Sequence, residues 1–264
     1  MKNGKKKIPP RVLIFGGTTE GKKAAAALDA GKTRYFYSTK TRTDFEPSVF
    51  CEYVWGEMDG NTLPEFVRKE KIKLIVNAAH PFARHLHETV SLVSEKMKIP
   101  VIRYGRKYPE RVSHPSVVYC DNYSGAVKEL KNTKGAMIIL SGVQTLAALK
   151  PLWENRDDCY ARILPRKTSV SLAVKQGFPE KRLITAMPSR DAEKEKQFFK
   201  KLNIKSVITK ESGDTGGQDA KIKAAIETGA KTAIIKKPSN PLFTATVFSP
   251  ETLIEKIREM RDVS

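Results

Sequence analysis

Short apolar runs alternate with helical stretches along the chain. In the first half, this pattern predicts strands at 11–15, 34–38, 51–55, 74–76 and 101–103, and helices through 24–28, 63–69 and 82–97. The last of these helices has apolar residues at Phe82, Leu86, Val90, Val93 and Met97, and this spacing near four predicts one buried face. Strands that alternate with helices of this length are typical of βαβ units and a parallel sheet.

The alternation restarts after about residue 132. It predicts strands at 136–140, 159–164, 184–186, 206–209 and 232–235, a helix at 143–149 and another through Ile222 and Ile226. Polar residues at 132–135 mark the predicted boundary. We therefore expect an α/β protein of two doubly wound, Rossmann-like domains with parallel sheets, residues 1–132 and 133–264, and an inter-domain cleft that binds the ligands.

Composition limits the setting of the protein. No apolar run approaches the ~20 residues of a membrane span, and the first seven residues lack the apolar stretch of a signal peptide. Cys51, Cys120 and Cys159 form no CxxC pair and are expected to be buried or half-buried thiols in a reducing environment. These features predict a cytoplasmic protein without a membrane segment.

The charge points to an anionic partner. The chain has 48 basic and 29 acidic residues, a net charge of +19 spread along its length. Such a field attracts nucleic acid, a phosphorylated cofactor or a substrate with many carboxylates. Because the patterns of RNP motifs, zinc fingers and basic heptad regions are absent from the sequence, we expect a small anionic molecule rather than nucleic acid. A basic nucleic-acid-binding protein stays open as an alternative.

His80 lies where chemistry is expected. It follows the strand at 74–76 and precedes Pro81, which suits the first turn of the next helix. Open α/β sheets bind ligands at this carboxyl edge of the strands, so His80 is the candidate catalytic residue. A histidine in such a turn is also often purely structural, and the sequence leaves that alternative open. His85 and His87 are two apart on a helix and point away from each other, so no metal site is predicted.

The turn after the first strand resembles a dinucleotide-binding fingerprint. Gly16 and Gly21 match the outer glycines of G-x-G-x-x-G, and Thr18 occupies the middle position. Thr18, Thr19 and the free N–H groups of the helix start suit a phosphate. A tight turn capped by Thr19 is the structural alternative. The predicted cofactor-binding residues here are Gly16, Gly17, Thr18, Thr19, Glu20 and Gly21.

The end of the second strand bears on the choice of cofactor. NAD sites have an acidic residue there for the ribose hydroxyls, whereas NADP sites leave room and supply cations. This chain offers Ser38, Thr39, Lys40 and Arg42, with no acid before Asp44. The sequence therefore favours NADPH as the cofactor, with NADH possible.

A second glycine-rich turn spans 209–217, between a strand and a helix. Lys210, Ser212, Gly213 and the backbone N–H groups of a helix start suit an anion. The turn is not a P-loop, because GxxxxGK[ST] is absent. Together with the turn at 16–21, it predicts that both domains present anion-binding edges to one cleft.

Over nearly its whole length the chain resembles the precorrin-6A reductases (cobalt-precorrin-6A reductases) of cobalamin biosynthesis. The motifs that carry the resemblance are Gly16-Gly17-Thr18-Thr19-Glu20, Ala79-His80-Pro81-Phe82-Ala83, Arg103 with Arg106, Ala161-Arg162, Leu164-Pro165, Lys210-Glu211-Ser212-Gly213, Lys221 with Ala224-Ala225, and Lys237-Pro238. The chain has Arg106-Lys107 where the family usually has Arg-Pro, and Met187-Pro188-Ser189-Arg190 where it usually has Gly-Pro-Phe-Ser.

The resemblance implies an NAD(P)H-dependent reduction of one double bond in an anionic tetrapyrrole macrocycle. The many carboxylates of such a substrate agree with the cationic composition. The implied substrate-binding residues are Phe82, Arg103, Arg106, Lys210, Ser212 and Gly213. His80 is then the candidate proton donor or orienting group, with solvent as the alternative source of the proton. The sequence leaves open whether the macrocycle already holds cobalt.

One other enzyme class shares the first half of this pattern. A short-chain dehydrogenase or epimerase needs a Tyr-x-x-x-Lys pair for proton transfer. None of the eight tyrosines has a lysine four residues later. We therefore rank this alternative below the reductase.

Overall fold

The computed structural model describes residues 11–262, which form two six-stranded sheets. The elements are β1 (Arg11–Phe15), α1 (Thr19–Ala30), β2 (Tyr35–Thr39), β3 (Cys51–Trp55), α2 (Thr62–Lys69), β4 (Ile72–Asn77), α3 (Arg84–Met97), β5 (Val101–Tyr104), β6 (Val117–Cys120), α4 (Tyr123–Leu130), β7 (Met137–Ile139), β8 (Cys159–Ile163), α5 (Lys167–Lys175), β9 (Leu183–Thr185), α6 (Ala192–Lys201), β10 (Ser206–Lys210), α7 (Gln218–Glu227), β11 (Lys231–Ile235), β12 (Ala245–Val247) and α8 (Pro250–Asp262).

The first sheet has the strand order β3-β2-β1-β4-β5-β12, and every pairing in it is parallel. This is the winding of the dinucleotide-binding fold, in which the order reverses beside the first strand. The reversal lies between β1 and β4, where Phe15 is paired with Asn77. The turns that follow these two strands therefore lie side by side at the carboxyl edge of the sheet.

The second sheet repeats this winding. Its order is β9-β8-β7-β10-β11-β6, again with all pairings parallel. The order reverses between β7 and β10, so the turn after β10 lies at the switch point of this sheet. The expectation of two doubly wound Rossmann-like domains is confirmed.

The division of the chain differs from the predicted boundary between residues 132 and 133. One compact unit takes the residues up to 106 together with those from 238 onward, and the other takes 107–237. The reason lies in two long-range pairings. β6 joins the second sheet beside β11, and β12 returns to the first sheet beside β5. Each unit therefore obtains its sixth strand from outside the contiguous segment that the pattern indicated.

The central strands are buried on both faces, which explains their unbroken apolar runs. Val12, Leu13 and Ile14 of β1 have no exposed surface. Residues of α1 and α8 cover one face of the first sheet, and residues of α2 and α3 cover the other. The strands thus hold the turns at their carboxyl ends on a rigid base.

Two predicted helices differ from those observed. α3 begins at Arg84, so Pro81 and Phe82 lie in the turn before it. The segment 143–149 contains a 3-10 turn at Val143–Thr145 instead of an α-helix. There the Thr145 hydroxyl donates to the carbonyl of Gly142 at 2.8 Å, and Pro151 lacks the N–H that a continuing helix needs.

Other expectations concern the setting of the chain. Cys120 and Cys159 are buried and Cys51 is half-buried, all as free thiols. Within residues 11–262, no helix combines the length and the apolar character that crossing a bilayer requires. The N-terminal segment, on which the prediction about a signal peptide rests, lies outside the described residues.

Candidate active site

The turn after β1 is shaped by contacts that exclude side chains. A Cβ atom at Gly16 would collide with the Tyr37 ring, and one at Gly21 would lie 2.7 Å from the Cα atom of Gly16. Gly17 adopts a φ of +80°, which favours glycine, and donates its N–H to the Tyr37 hydroxyl at 3.0 Å. The outer glycines of the fingerprint thus allow α1 to begin directly against β1.

Thr18 caps α1 and joins the two turns at the switch point. Its hydroxyl accepts the N–H of Gly21 at 2.9 Å and donates to the carbonyl of Ala78 at 2.6 Å. The cap is therefore Thr18, one residue before the Thr19 of the structural alternative. Within the described chain, the N–H groups of Thr18 and Thr19 form no hydrogen bond. Backbone donors at the start of a helix are suited to a phosphate.

Glu20 pairs with Arg106 inside the first unit. Their carboxylate and guanidinium approach to 3.0 Å, and the side chains are 7% and 8% exposed. A buried ion pair of this kind is costly to break, because the remaining charge is left desolvated. Both residues were expected to bind ligands. In the structure they pair with each other and link the first turn of α1 to the segment after β5, and their expected contacts with ligands stay predictions.

The buried side chain of His87 holds the turn after β4. Its Nε2–H donates to the carbonyl of His80 at 3.0 Å, so in the neutral ring Nδ1 accepts the amide of Asn77, also at 3.0 Å. Burial, together with the charge of Arg103, lowers the pKa of His87 to about 4. His87 is therefore neutral near pH 7 and fixes the backbone of His80.

His80 itself is half-buried at the carboxyl edge of the sheet. Its Nδ1 accepts the N–H of Phe82 at 3.2 Å, which favours the tautomer that carries its proton on Nε2. The ring of Phe82 lies 5.9 Å from the imidazole, centroid to centroid. The turn thus fixes the orientation of a ring whose Nε2–H is a potential donor.

Arg103, which was expected to bind the substrate, is buried. It is 3% exposed, and its guanidinium donates to the backbone carbonyl of Asn77 at 2.6 Å. A guanidinium held inside the protein is poorly placed to reach carboxylates of a large macrocycle. In the structure Arg103 supports the turn after β4 from within, and its expected contact with the substrate stays a prediction.

The four residues expected at the 2′-phosphate divide into two groups. Ser38 and Thr39 are buried, and the Thr39 hydroxyl lies 2.8 Å from both the carbonyl of Thr41 and the Tyr53 hydroxyl. Lys40 and Arg42 are exposed. Lys40 forms an ion pair with Glu57 at 2.8 Å, whereas the Arg42 guanidinium lies over the ring of Trp55. The hydroxyls thus order the loop, and the cations remain at its surface.

In the second unit, the turn after β10 is built around Glu211. Its buried carboxylate accepts two hydrogen bonds from Arg111, at 2.9 and 3.1 Å, and one from the N–H of Lys237 at 2.9 Å. Although burial raises the pKa of Glu211, these donors lower it below its usual range. The neighbouring Lys210 is largely desolvated, and its pKa falls to about 8. A cation thus stands beside a firmly anchored carboxylate.

The remaining expected residues of this turn, Ser212 and Gly213, lie between β10 and α7. Ser212 is buried, and the N–H of Gly213 donates to the side chain of Gln218 at 2.9 Å. Within the described residues, no group of three or more histidine, cysteine or acidic side chains is arranged to hold a metal ion.

Comparison with known proteins identifies the family. The model of the family described as precorrin-6x reductase CbiJ/CobK matches residues 11–258. The chain belongs to this family. Cobalt-precorrin-6A reductase of Methanococcus maripaludis is 31% identical over 86% of this chain and 91% of its own length. The enzyme of the same name from Methanocaldococcus jannaschii is 26% identical over 86% and 90%.

A solved structure supports the fold independently of sequence. The chain is similar to CobK precorrin-6A reductase with a TM-score of 0.74 and 18% identity, covering 95% of this chain and 97% of that one. Membership of the precorrin-6x reductase family confirms the expected class of activity, an NAD(P)H-dependent reduction of a CH–CH bond in precorrin-6A during cobalamin biosynthesis. It also sets aside the short-chain dehydrogenase alternative.

Sequence reasoning on this reductase missed the supports beneath the second turn. Lys221, which is buried, donates from Nζ to the carbonyl of Gly216 at 2.7 Å. Arg162 and Glu195 form a bidentate pair with both contacts at 2.9 Å. A Cβ atom at Gly217 would collide with the Ser189 carbonyl, so the close approach of these two backbone segments requires glycine at position 217. The resemblance named Lys221 and Arg162 as family motifs, but only the structure gives them this supporting position.

Proposed function

We propose that this precorrin-6x reductase reduces cobalt-precorrin-6A with NADPH, and that its first unit holds the dinucleotide. The observation that carries the cofactor assignment is the glycine turn at the switch point of a sheet with dinucleotide-binding order. The N–H groups of Thr18 and Thr19 and the start of α1 offer donors to the pyrophosphate. Gly16 and Gly21 bring the start of α1 against β1, so these donors lie at the carboxyl edge of the sheet.

The end of β2 supports NADPH over NADH. No acidic residue follows this strand in the sequence before Asp44, so the chain lacks at this position the carboxylate that binds the ribose hydroxyls in NAD sites. Of the two cations in the loop, Lys40 is already paired with Glu57. Arg42 forms neither a hydrogen bond nor an ion pair among residues 11–262, so its guanidinium donors are available to a phosphate.

The cobalt-containing substrate is favoured by the relatives. The two methanogen proteins named above and the Priestia megaterium protein, which is 26% identical over 86% of this chain, are all named cobalt-precorrin-6A reductase. The macrocycle is anionic, and Lys210 supplies a cation at the end of β10, before the turn that leads to α7. We assign Lys210, Ser212 and Gly213 to the binding of a substrate carboxylate, with Phe82 as an apolar contact.

The nicotinamide supplies the hydride when it is bound, and the chain must provide orientation and a proton. One hydride and one proton saturate one double bond, and the cofactor leaves oxidised. His80, whose Nδ1 accepts the N–H of Phe82 and whose backbone carbonyl accepts from His87, would donate from Nε2 to the atom adjacent to the hydride acceptor. Water could replace it as the proton source, and the variants discussed below separate these cases.

The test is a spectrophotometric assay with four pairings, metal-free or cobalt-containing precorrin-6A with NADPH or NADH. We expect the highest kcat/KM for the cobalt-containing substrate with NADPH. Faster turnover of the metal-free substrate would overturn the cobalt assignment, and a preference for NADH would overturn the assignment of the 2′-phosphate. Lack of turnover with all four would contradict the proposed reaction itself.

A further inference from the structure

An exposed tryptophan lies at the carboxyl edge of the first sheet, where we propose that the cofactor binds. Trp55 is the last residue of β3, and it is the register partner of Thr39, the last residue of β2. It is 54% exposed, although large aromatic side chains usually gain from burial. The guanidinium of Arg42 lies over its ring, 4.9 Å from the centroid. A tryptophan ring is the best aromatic partner for such a cation.

The loop between β2 and β3 is arranged to hold this stack. The Tyr53 hydroxyl accepts the N–H of Thr43 at 2.9 Å, and its ring lies 5.7 Å from that of Trp55. The Thr39 hydroxyl reaches the carbonyl of Thr41 at 2.8 Å. The backbone on both sides of Arg42 is therefore fixed, and Trp55 fixes the long side chain that the backbone leaves free.

We infer that Trp55 is a specificity-determining positioning residue, which holds the Arg42 guanidinium ready for the 2′-phosphate of NADPH. The inference rests on the proposed preference for NADPH and adds the residue that sets it. The guanidinium contacts the ring as a cation over its face and forms neither a hydrogen bond nor an ion pair within residues 11–262, so its N–H groups stay available to phosphate oxygens. Because the side chain is already ordered, binding loses less conformational entropy.

The neighbouring lysine provides the contrast. Lys40 has its ammonium 2.8 Å from Glu57, and both side chains are exposed. A phosphate would have to compete with that carboxylate for Lys40, whereas Trp55 orders Arg42 without neutralising it. The two cations of this loop are thus organised differently, and only Arg42 is prepared for a second anion.

The test measures dissociation constants of NADPH and NADH by calorimetry on the full chain. The variants are Trp55→Leu, Trp55→Phe, Arg42→Ala and the double variant Trp55→Leu/Arg42→Ala, with Arg68→Ala on α2 as the control for loss of an exposed cation. We expect Trp55→Leu to weaken NADPH about fivefold, which is the value of an exposed cation–π contact, and to leave NADH unchanged. Trp55→Phe, which keeps a ring, should restore most of the NADPH affinity.

The double variant decides between positioning and direct contact. If Trp55 acts through Arg42, Trp55→Leu should have no further effect once Arg42→Ala is present. Equal losses of NADPH and NADH, or an undiminished loss in the double variant, would overturn the inference and indicate a ring that contacts the cofactor itself. Arg42→Ala without an NADPH-selective loss would instead overturn the proposed 2′-phosphate site.

Discussion

The side-chain amide of Asn77 donates to Nδ1 of His87 at 3.0 Å, joining the end of β4 to the first turn of α3. The other ring nitrogen of His87 donates to the carbonyl of His80. A protonated His87 would present an N–H to the Asn77 amide and lose this acceptor. The candidate catalytic turn therefore depends on a histidine that stays neutral.

This arrangement predicts an acid-sensitive fold. The pKa of His87 is lowered to about 4 in the folded protein, whereas an unfolded histidine titrates near 6.5. The unfolded state binds the extra proton first, so stability is full above pH 6.5 and is lost as the pH falls toward 4, by up to about 3 kcal/mol. Urea unfolding between pH 7.5 and 4.5 measures the loss. His87→Gln, which cannot titrate, should show a clearly shallower decline, and an identical decline would contradict the prediction.

The pair of Glu20 and Arg106 predicts a strong effect of single substitutions. Glu20→Gln leaves the buried guanidinium without its carboxylate and should lower the free energy of unfolding of the first unit by about 3–5 kcal/mol. The double variant Glu20→Met/Arg106→Met removes both charges and should recover much of that loss. Trp153→Phe in all samples leaves Trp55 as the only tryptophan, so its fluorescence follows the first unit. Additive losses in the double variant would show that the two residues do not act as a pair.

Sequence patterns predicted the parts of this fold that are encoded locally. β1 and β4 contain continuous apolar runs at 12–15 and 74–76, and the turns after them carry the glycines and Pro81. The patterns did not reveal β6 and β12, because these short strands acquire their places only by pairing with distant β11 and β5. The unit boundary was missed for the same reason.

The candidate site shows the same limit. Its candidate residues were chosen because they follow strands, but their partners in the structure lie far away in the chain. Arg111 and Glu211 are 100 residues apart, and neither residue carries a local signal of the other. Residue type likewise could not show which arginine is buried and which is exposed. Arg103 is buried against Asn77, whereas Arg42 is exposed beside Trp55. Burial, rather than charge alone, decides which of these cations can reach a ligand.

Lys210 predicts a pH dependence of substrate binding. Burial lowers its pKa to about 8, so its charge is present at pH 7 and is lost as the pH rises above 8. If the ammonium binds a substrate carboxylate, KM for the macrocycle should rise about tenfold between pH 7 and pH 9. Lys210→Arg keeps its charge in this range and should flatten the profile. A profile that is the same in both proteins would assign the titration to another group.

Substitutions of His80 distinguish a proton donor from a residue that only supports the turn. If its Nε2–H delivers the proton, His80→Ala should lower kcat by up to the ~10²–10⁴-fold typical of a general acid, while KM for NADPH changes little. His80→Gln is the matched variant, since its amide oxygen can still accept the N–H of Phe82 but the side chain cannot act as an acid at neutral pH. We expect both variants to be slow and His80→Gln to unfold at nearly the normal temperature. Normal turnover in His80→Gln, combined with a lower unfolding temperature in His80→Ala, would mean that the imidazole only supports the turn and that water protonates the macrocycle.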